Sequence, residues 1–270
     1  MNKKILFLTG TRADFGKLKS LIRICNANPG FEVSIFATGM HLQAQYGYTF
    51  HEIEKSGFSN IHCFANHGNG AGMDLTMAKT IEGLSEYVKA NSPDLLVVHG
   101  DRIEALAGSI VGALNNILVA HIEGGEVSGT IDELIRHAVT KMSHLHFVSN
   151  NEAATRLIQM GELPESIHVI GSPDMDVMVS ANLPSLDEVK RHYEIPFDAY
   201  GIIMFHPVTT ELDRMKLASE NLFEAARQSG LNFVVIYPNN DMGSEFILES
   251  IFGLKGHANL RVFPSIRFES

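Results

Sequence analysis

Short apolar runs alternate along this chain with longer stretches whose apolar positions recur at helical spacing. Ile5–Leu8, Val33–Ala37, Ile61–Phe64, Leu95–Val98, Ile117–Ala120, Leu145–Val148 and His168–Ile170 predict strands. Leu18–Asn26, Leu75–Lys89, Glu104–Leu114 and Glu133–Met142 predict helices between them. Regular alternation with helices therefore predicts an α/β protein built on a mostly parallel sheet.

The pattern breaks near Ala181-Asn-Leu-Pro-Ser-Leu-Asp187, where a proline and capping residues lead into a new helix. It then restarts with strands at Ile202–Phe205, Phe233–Tyr237 and Arg261–Phe263, and helices at Glu211–Gln228 and Ser244–Phe252. The expected division is a first Rossmann-like domain over 1–180 and a partial second one over 181–270. About three strands is thin for a doubly wound domain, which commonly uses five or six.

Composition narrows the class. Of 270 residues 45% are hydrophobic and 19% charged, enough for a buried core throughout. No apolar run approaches the roughly 18 residues that a membrane span needs. The N-terminal Lys-Lys-Ile-Leu-Phe-Leu segment reads as a buried first strand rather than a signal peptide. Cys25 and Cys63 lie far apart, without disulfide or zinc spacing, so both are expected to be buried free thiols in a reducing cytoplasm. A formal net charge of −10 argues against a nucleic-acid surface, though not against a local cationic pocket.

In open α/β sheets ligands bind beyond the carboxyl ends of the strands, so the residue after each run carries the most information. After the first comes Gly10-Thr-Arg-Ala-Asp-Phe-Gly16, a turn whose helix start offers N–H groups to an anion, with Arg12 as a bidentate phosphate contact. An ordinary strand-to-helix turn is the alternative. Neither a G-x-G-x-x-G nor a Walker pattern occurs, which disfavours dinucleotide and P-loop binding. After the fourth comes His99-Gly-Asp-Arg-Ile-Glu104, in which Asp101 either serves a ligand or caps the next helix. After the fifth comes His121-Ile-Glu-Gly-Gly-Glu-Val-Ser-Gly-Thr130, where strand alternation puts His121 and Glu123 on one side. Thr130 then reads as a helix N-cap, and Asp132 and Arg136 share a helix face and can pair. His137, His144 and His146 read as structural.

Other matches carry less. His121-x-Glu123 lacks the Pro-Cys-x-x-Cys of zinc deaminases, so no metal is expected there. Gly68-Asn-Gly-Ala-Gly72 reads as a mobile loop, and Gly171-Ser-Pro-Asp-Met-Asp176 as a helix start at the ligand edge. His206-Pro-Val-Thr-Thr210 and Pro238-Asn-Asn-Asp-Met-Gly243 follow strands of the second unit. If the two units face each other, His206 lines the far wall of a cleft.

Taken together, Gly10-Thr-Arg-Ala-Asp, His99-Gly-Asp-Arg, the stretch from His121 to Lys141 and Gly171-Ser-Pro resemble the hydrolysing UDP-N-acetylglucosamine 2-epimerases of sialic-acid and legionaminic-acid synthesis. The similarity runs over essentially the whole chain. It implies a GT-B-like fold, two Rossmann-like domains facing a cleft, the second incomplete here. It implies an enzyme that eliminates UDP from UDP-N-acetylglucosamine to give 2-acetamidoglucal, then adds water to give N-acetylmannosamine, with no cofactor and no metal. By resemblance Asp101, Glu123 and Asp132 are catalytic carboxylates, His206 the active-site histidine and Arg136 an arginine beside the acids. Arg12, Arg102 and Asn239 match UDP contacts, and Glu126 is a further candidate. Gly16 stands where some members carry a serine that touches UDP.

The implied partners are the UDP-sugar substrate and UDP product, with no nucleic acid and no membrane, in a cytoplasmic homodimer or homotetramer. Family members continue beyond the equivalent of Ser270. A truncated form with weak UDP binding and poor turnover is therefore expected. The same reaction on UDP-N,N′-diacetylbacillosamine, a GT-B glycosyltransferase, and a nucleotide-binding fragment without activity are the alternatives.

Overall fold

The protein is described from a computed structural model over residues 2–68, 72–129, 131–180, 183–239, 241–254, 256–267 and 270. The Thr130 cap, the centre of the Gly68–Gly72 loop and the start of the break at Ala181 lie outside the described residues. The chain divides into two compact units. The first comprises Met1–Ala44 and Tyr48–Ser180, the second Gln45–Gly47 and Ala181–Ser270.

In the first unit the order is β1 (Lys3–Thr9), α1 (Arg12–Ala27), β2 (Phe31–Ala37), α2 (Phe50–Lys55), β3 (Ile61–Cys63), α3 (Met73–Asn91), β4 (Leu95–His99), α4 (Ile103–Leu114), β5 (Leu118–Ile122), α5 (Ile131–Lys141), β6 (Leu145–Val148), α6 (Asn151–Gln159), β7 (Ile167–Val169) and α7 (Asp174–Met178). Its seven strands are all parallel, in the spatial order β3-β2-β1-β4-β5-β6-β7. The order reverses direction at β1 and β4, which makes the sheet doubly wound.

Side-chain alternation sorts the core into two layers. Leu6, Leu8, Phe36, Leu96, Val98 and Val119 face α3, α4 and α5 through Leu84, Val88, Ile103, Val111, Ile135 and Val139. Ile5, Phe7, Val33, Ile35, Val97, Ala120 and Ile122 face α1 through Phe15, Leu18 and Ile22. Helix α4 approaches the sheet through glycines one turn apart. A Cβ on Gly108 would stand 2.6 Å from Leu8 Cδ2, and one on Gly112 2.4 Å from Val119 Cγ2.

The second unit holds α8 (Leu186–His192), β8 (Gly201–Met204), α9 (Leu212–Gln228), β9 (Phe233–Ile236), α10 (Ser244–Gly253) and β10 (Leu260–Phe263). Its three strands are parallel, in the order β10-β9-β8. Met215, Phe223, Val235, Ile247, Ile251 and Leu260 form its core. Ser185 caps α8 in a reciprocal capping box with Glu188, as the Pro-Ser-Leu-Asp signal predicts.

The cysteine expectation needs correction. Both thiols are free, but Cys25 is half-buried and Cys63 exposed. Cys63 ends the short edge strand β3, so its apolar neighbours in sequence are not its neighbours in space. Among the described residues no helix is long and apolar enough to cross a membrane.

Candidate active site

Strands β4 and β5 run side by side, with His99 opposite Ile122, so the turns that follow them emerge together. Gly100 adopts φ +69° and its N–H donates to Ile122 O at 2.9 Å. His121, wholly buried, braces the same turn. Its Nε2–H donates to Gly100 O at 2.9 Å, leaving Nδ1 to accept from Thr140 Oγ1 at 3.1 Å. Burial pushes its pKa down to about 3, so a neutral ring with both nitrogens satisfied is the resting form.

That brace fixes Asp101, whose Oδ2 accepts a short hydrogen bond from Arg136 Nη2 on α5. Arg136 is nearly buried and also donates to Glu126 O at 3.0 Å and to Ser128 Oγ at 3.3 Å. The Asp101–Arg136 ion pair therefore joins the turn after β4 to the loop after β5. The capping alternative for Asp101 fails, because the N-cap of α4 is Arg102 and no side chain bonds there.

Glu123 departs from the expected alternation. It follows the last residue of β5 with φ +61°, in the left-handed region, while its N–H still donates to Phe147 O at 2.8 Å. That backbone turns its side chain away from the α5 layer occupied by His121 and toward α1. There Glu123 Oε2 accepts from Lys17 Nζ at 2.6 Å and His99 Nε2 at 3.0 Å, and Oε1 accepts from Ser172 Oγ at 2.6 Å. Lys17 also pairs with Asp174 at 3.2 Å. Burial alone would favour neutral Glu123, but His99, Lys17 and Ser172 outweigh it and hold the carboxyl well below the usual carboxylate range. Lys17 answers in the opposite sense. Burial works against its charge, and Glu123 and Asp174 together raise its pKa.

The turn after β1 follows the ordinary strand-to-helix alternative. Thr11 and Asp14 form a reciprocal capping box on α1. Asp14 accepts from Gly10 N at 2.9 Å, Thr11 N at 2.8 Å and Thr11 Oγ1 at 2.7 Å. The N–H groups of Gly10 and Thr11 are thus already bound to an internal anion and are not the phosphate cradle the glycines suggested. Arg12, the first residue of α1, stands beside this cap. Behind it Thr9 Oγ1 meets His41 Nε2 at 2.9 Å, and His41 Nδ1 meets Thr49 Oγ1 at 2.9 Å.

Asp132 lies in the first turn of α5, one turn before Arg136. Its neighbour Glu133 accepts from the N–H groups of Ser128 and Gly129, both at 2.9 Å, which ties the acid-rich loop back onto the helix. Glu126 Oε1 accepts from Asn150 Nδ2 at 3.1 Å. In the second unit His206 follows β8 and Asn239 follows β9, and the structure brings them together. Asn239 N donates to His206 Nδ1 at 3.1 Å, and Asn239 Nδ2 donates to Asp241 Oδ2 at 2.5 Å.

Lys17 escaped the sequence reading altogether, while His99, Ser172 and Asp174 lay in segments placed at the ligand edge without a role of their own. His99 was findable, as the last residue of an apolar strand beside the strand that ends before Glu123. Lys17 lies on a helix of ordinary amphipathic pattern, and nothing local in the sequence marks its approach to Glu123, 106 positions away.

The family model described as UDP-N-acetylglucosamine 2-epimerase matches residues 23–270. The UDP-N-acetylglucosamine 2-epimerase of Neisseria meningitidis serogroup B is 49% identical over 267 residues, covering 99% of this chain and 71% of the relative. The UDP-N,N′-diacetylbacillosamine 2-epimerase (hydrolyzing) of Legionella pneumophila is 34% identical, covering 98% and 72%. A crystal structure of Methanocaldococcus jannaschii UDP-GlcNAc 2-epimerase in complex with UDP-GlcNAc and UDP superimposes with a TM-score of 0.77 at 19% identity, covering 98% of this chain and 75% of that one. That likeness extends the GT-B-like fold to this chain.

Proposed function

This chain belongs to the UDP-N-acetylglucosamine 2-epimerase family, and from that premise we propose that it converts UDP-N-acetylglucosamine to UDP and free N-acetylmannosamine, the opening reaction of sialic-acid-type sugar synthesis. The observation that carries this reading is a pair of carboxylates at neighbouring strand ends, each bound to its own cation: Asp101 to Arg136, and Glu123 to Lys17. The hydrolytic branch is favoured by the Legionella relative, whose name specifies hydrolysis.

The chemistry asks for such parts. The C2 proton of the sugar is not acidic, because no carbonyl is attached to that carbon. A carboxylate must take it as the C1–O bond breaks. The C–H pair becomes the C1=C2 double bond, and the C1–O pair leaves with UDP. Cations and hydrogen-bond donors stabilise the charge that develops on the departing diphosphate. Arg12 and Arg102, each at the start of a helix at the carboxyl edge, are the proposed diphosphate contacts of the first unit, and Asn239 that of the second. Water then adds across the double bond of 2-acetamidoglucal, with hydroxyl going to C1 and a proton to C2 on the opposite face. Asp101, Glu123 and Asp132 are the proposed acid–base groups, with Arg136 paired to Asp101 and His206 the proposed histidine of the reaction. Nothing in these steps calls for a redox group.

Reaction in deuterated water tests the proposal. Free N-acetylmannosamine with deuterium at C2 is the expected product. UDP release without C2 exchange would refute the elimination. A UDP-linked epimer in place of the free sugar would refute the hydrolytic step. Turnover of UDP-N,N′-diacetylbacillosamine in preference to UDP-N-acetylglucosamine would transfer the same mechanism to the second substrate.

A further inference from the structure

The carboxylate of Glu123 is held from three directions. Lys17 comes from α1 and His99 from the end of β4, both onto Oε2. Ser172 comes from the turn between β7 and α7 and donates to Oε1. The same turn supplies Asp174, which grips Lys17 at 3.2 Å while its own Oδ1 is buried without a hydrogen-bond partner. The turn thus touches both members of the Lys17–Glu123 pair, one residue on each.

We propose that Ser172 and Asp174 are positioning residues for the reaction, which fix the rotation of the Glu123 carboxylate and the reach of the Lys17 ammonium. The proposal rests on the reading of Glu123 as a working acid–base group. Two donors on one oxygen leave a carboxylate free to swing about the bond to its own side chain. A third donor on the other oxygen removes that freedom. Ser172 therefore decides which lone pair faces the sugar. Asp174 acts one step further back. It holds Lys17 at a distance at which the ammonium can bridge both carboxylates, and without it Lys17 is free to leave Glu123 for the nearest solvent or phosphate. Misplacement of a reacting group by about an ångström lowers turnover up to about a hundredfold without a matching loss of substrate binding.

The test uses the full chain and UDP-N-acetylglucosamine. Ser172→Ala is expected to lower kcat by about tenfold or more, with KM within about threefold of wild type. Ser172→Thr, which keeps a hydroxyl, is expected to recover most of kcat. Asp174→Asn is read independently of activity, by labelling of Lys17 with an amine-directed acylating reagent at neutral pH and mass spectrometry. Loss of the Asp174 charge is expected to raise labelling of Lys17 several-fold relative to the other lysines, because a less firmly held ammonium deprotonates more readily. Unchanged kcat in Ser172→Ala, or equal losses in Ser172→Ala and Ser172→Thr, would overturn the role of Ser172. Unchanged labelling would overturn that of Asp174. Full activity in Glu123→Gln would instead sink the underlying reading of Glu123, and so separates the two failures.

Discussion

Acid is expected to destabilise the first unit through two histidines folded away without charge. His41 and His121 are both wholly buried, and burial is the largest influence on each, taking their pKa values to about 4 and about 3. In the unfolded chain both return to about 6.5. A histidine whose folded pKa is depressed costs nothing well above the unfolded value. As pH falls through 6.5 the unfolded chain takes up a proton that the folded protein refuses, so stability drops until the folded pKa is reached. Between about pH 7.5 and about pH 5.5 each ring contributes about 1.3 kcal/mol of this loss, nearly 3 kcal/mol for the pair. Guanidinium unfolding followed by circular dichroism at the two pH values reads the difference directly. His121→Gln retains an amide donor for the Gly100 carbonyl and removes the titration. Its stability at pH 7.5 can differ from wild type, but its loss on acidification is expected to be about 1.3 kcal/mol smaller. If His121→Gln keeps the whole wild-type pH dependence, His121 is not buried neutral and the brace on Gly100 has been misread.

Asp14→Ala removes the acidic half of the α1 capping box, with three bonds to Gly10 and Thr11, and is expected to cost about 1–2 kcal/mol, measured as a shift of the unfolding midpoint. Gly112→Ala drives a methyl group to within 2.4 Å of Val119 Cγ2, and is expected to cost about 1–3 kcal/mol by the same measurement. A neutral result would mean that α4 can lift from the sheet at little cost. Arg136→Ala leaves Asp101 without its cation and is expected to reduce kcat by about a hundredfold. If kcat instead stays near wild type while KM rises, Arg136 serves binding alone.

The layout of the strands was legible because each carries a short, mostly apolar run, as in Ile5–Leu8 and Leu95–Val98. Every run from Ile5–Leu8 to Arg261–Phe263 forms a strand, displaced by no more than two residues at either end. Short elements such as α2 and α7 carry too few residues to show a period, and α2 meets the core through Phe50 and Ile53 alone among the described residues. The chemistry was legible where it lies at strand ends. Asp101 and Glu123 stand out by position and Arg136 by resemblance, but Lys17, the partner of Glu123, does not, because an ion pair between residues 106 positions apart leaves no local trace. At Gly10-Thr-Arg-Ala-Asp the sequence did contain the answer. Thr11 with Asp14 three residues on is the spacing of a capping box, which competes directly with a phosphate for the same N–H groups.

The left-handed turn at Glu123 shows why strand alternation fails where the site begins. Continued alternation would send its side chain into the α5 layer, where Asp101 already occupies Arg136. Two carboxylates would then share one cation, and in a largely buried setting one of them would have to take up a proton. Reversal of the backbone at Glu123 costs about 1–3 kcal/mol for a residue with a Cβ. A hydrogen bond to a charged group contributes about 1.5–3 kcal/mol, and Glu123 receives three of them on the α1 side. The strain is therefore outweighed, and each acid obtains its own cation on its own face of the sheet. Two ionised carboxylates at adjacent strand ends, supported from opposite layers, can be perturbed separately.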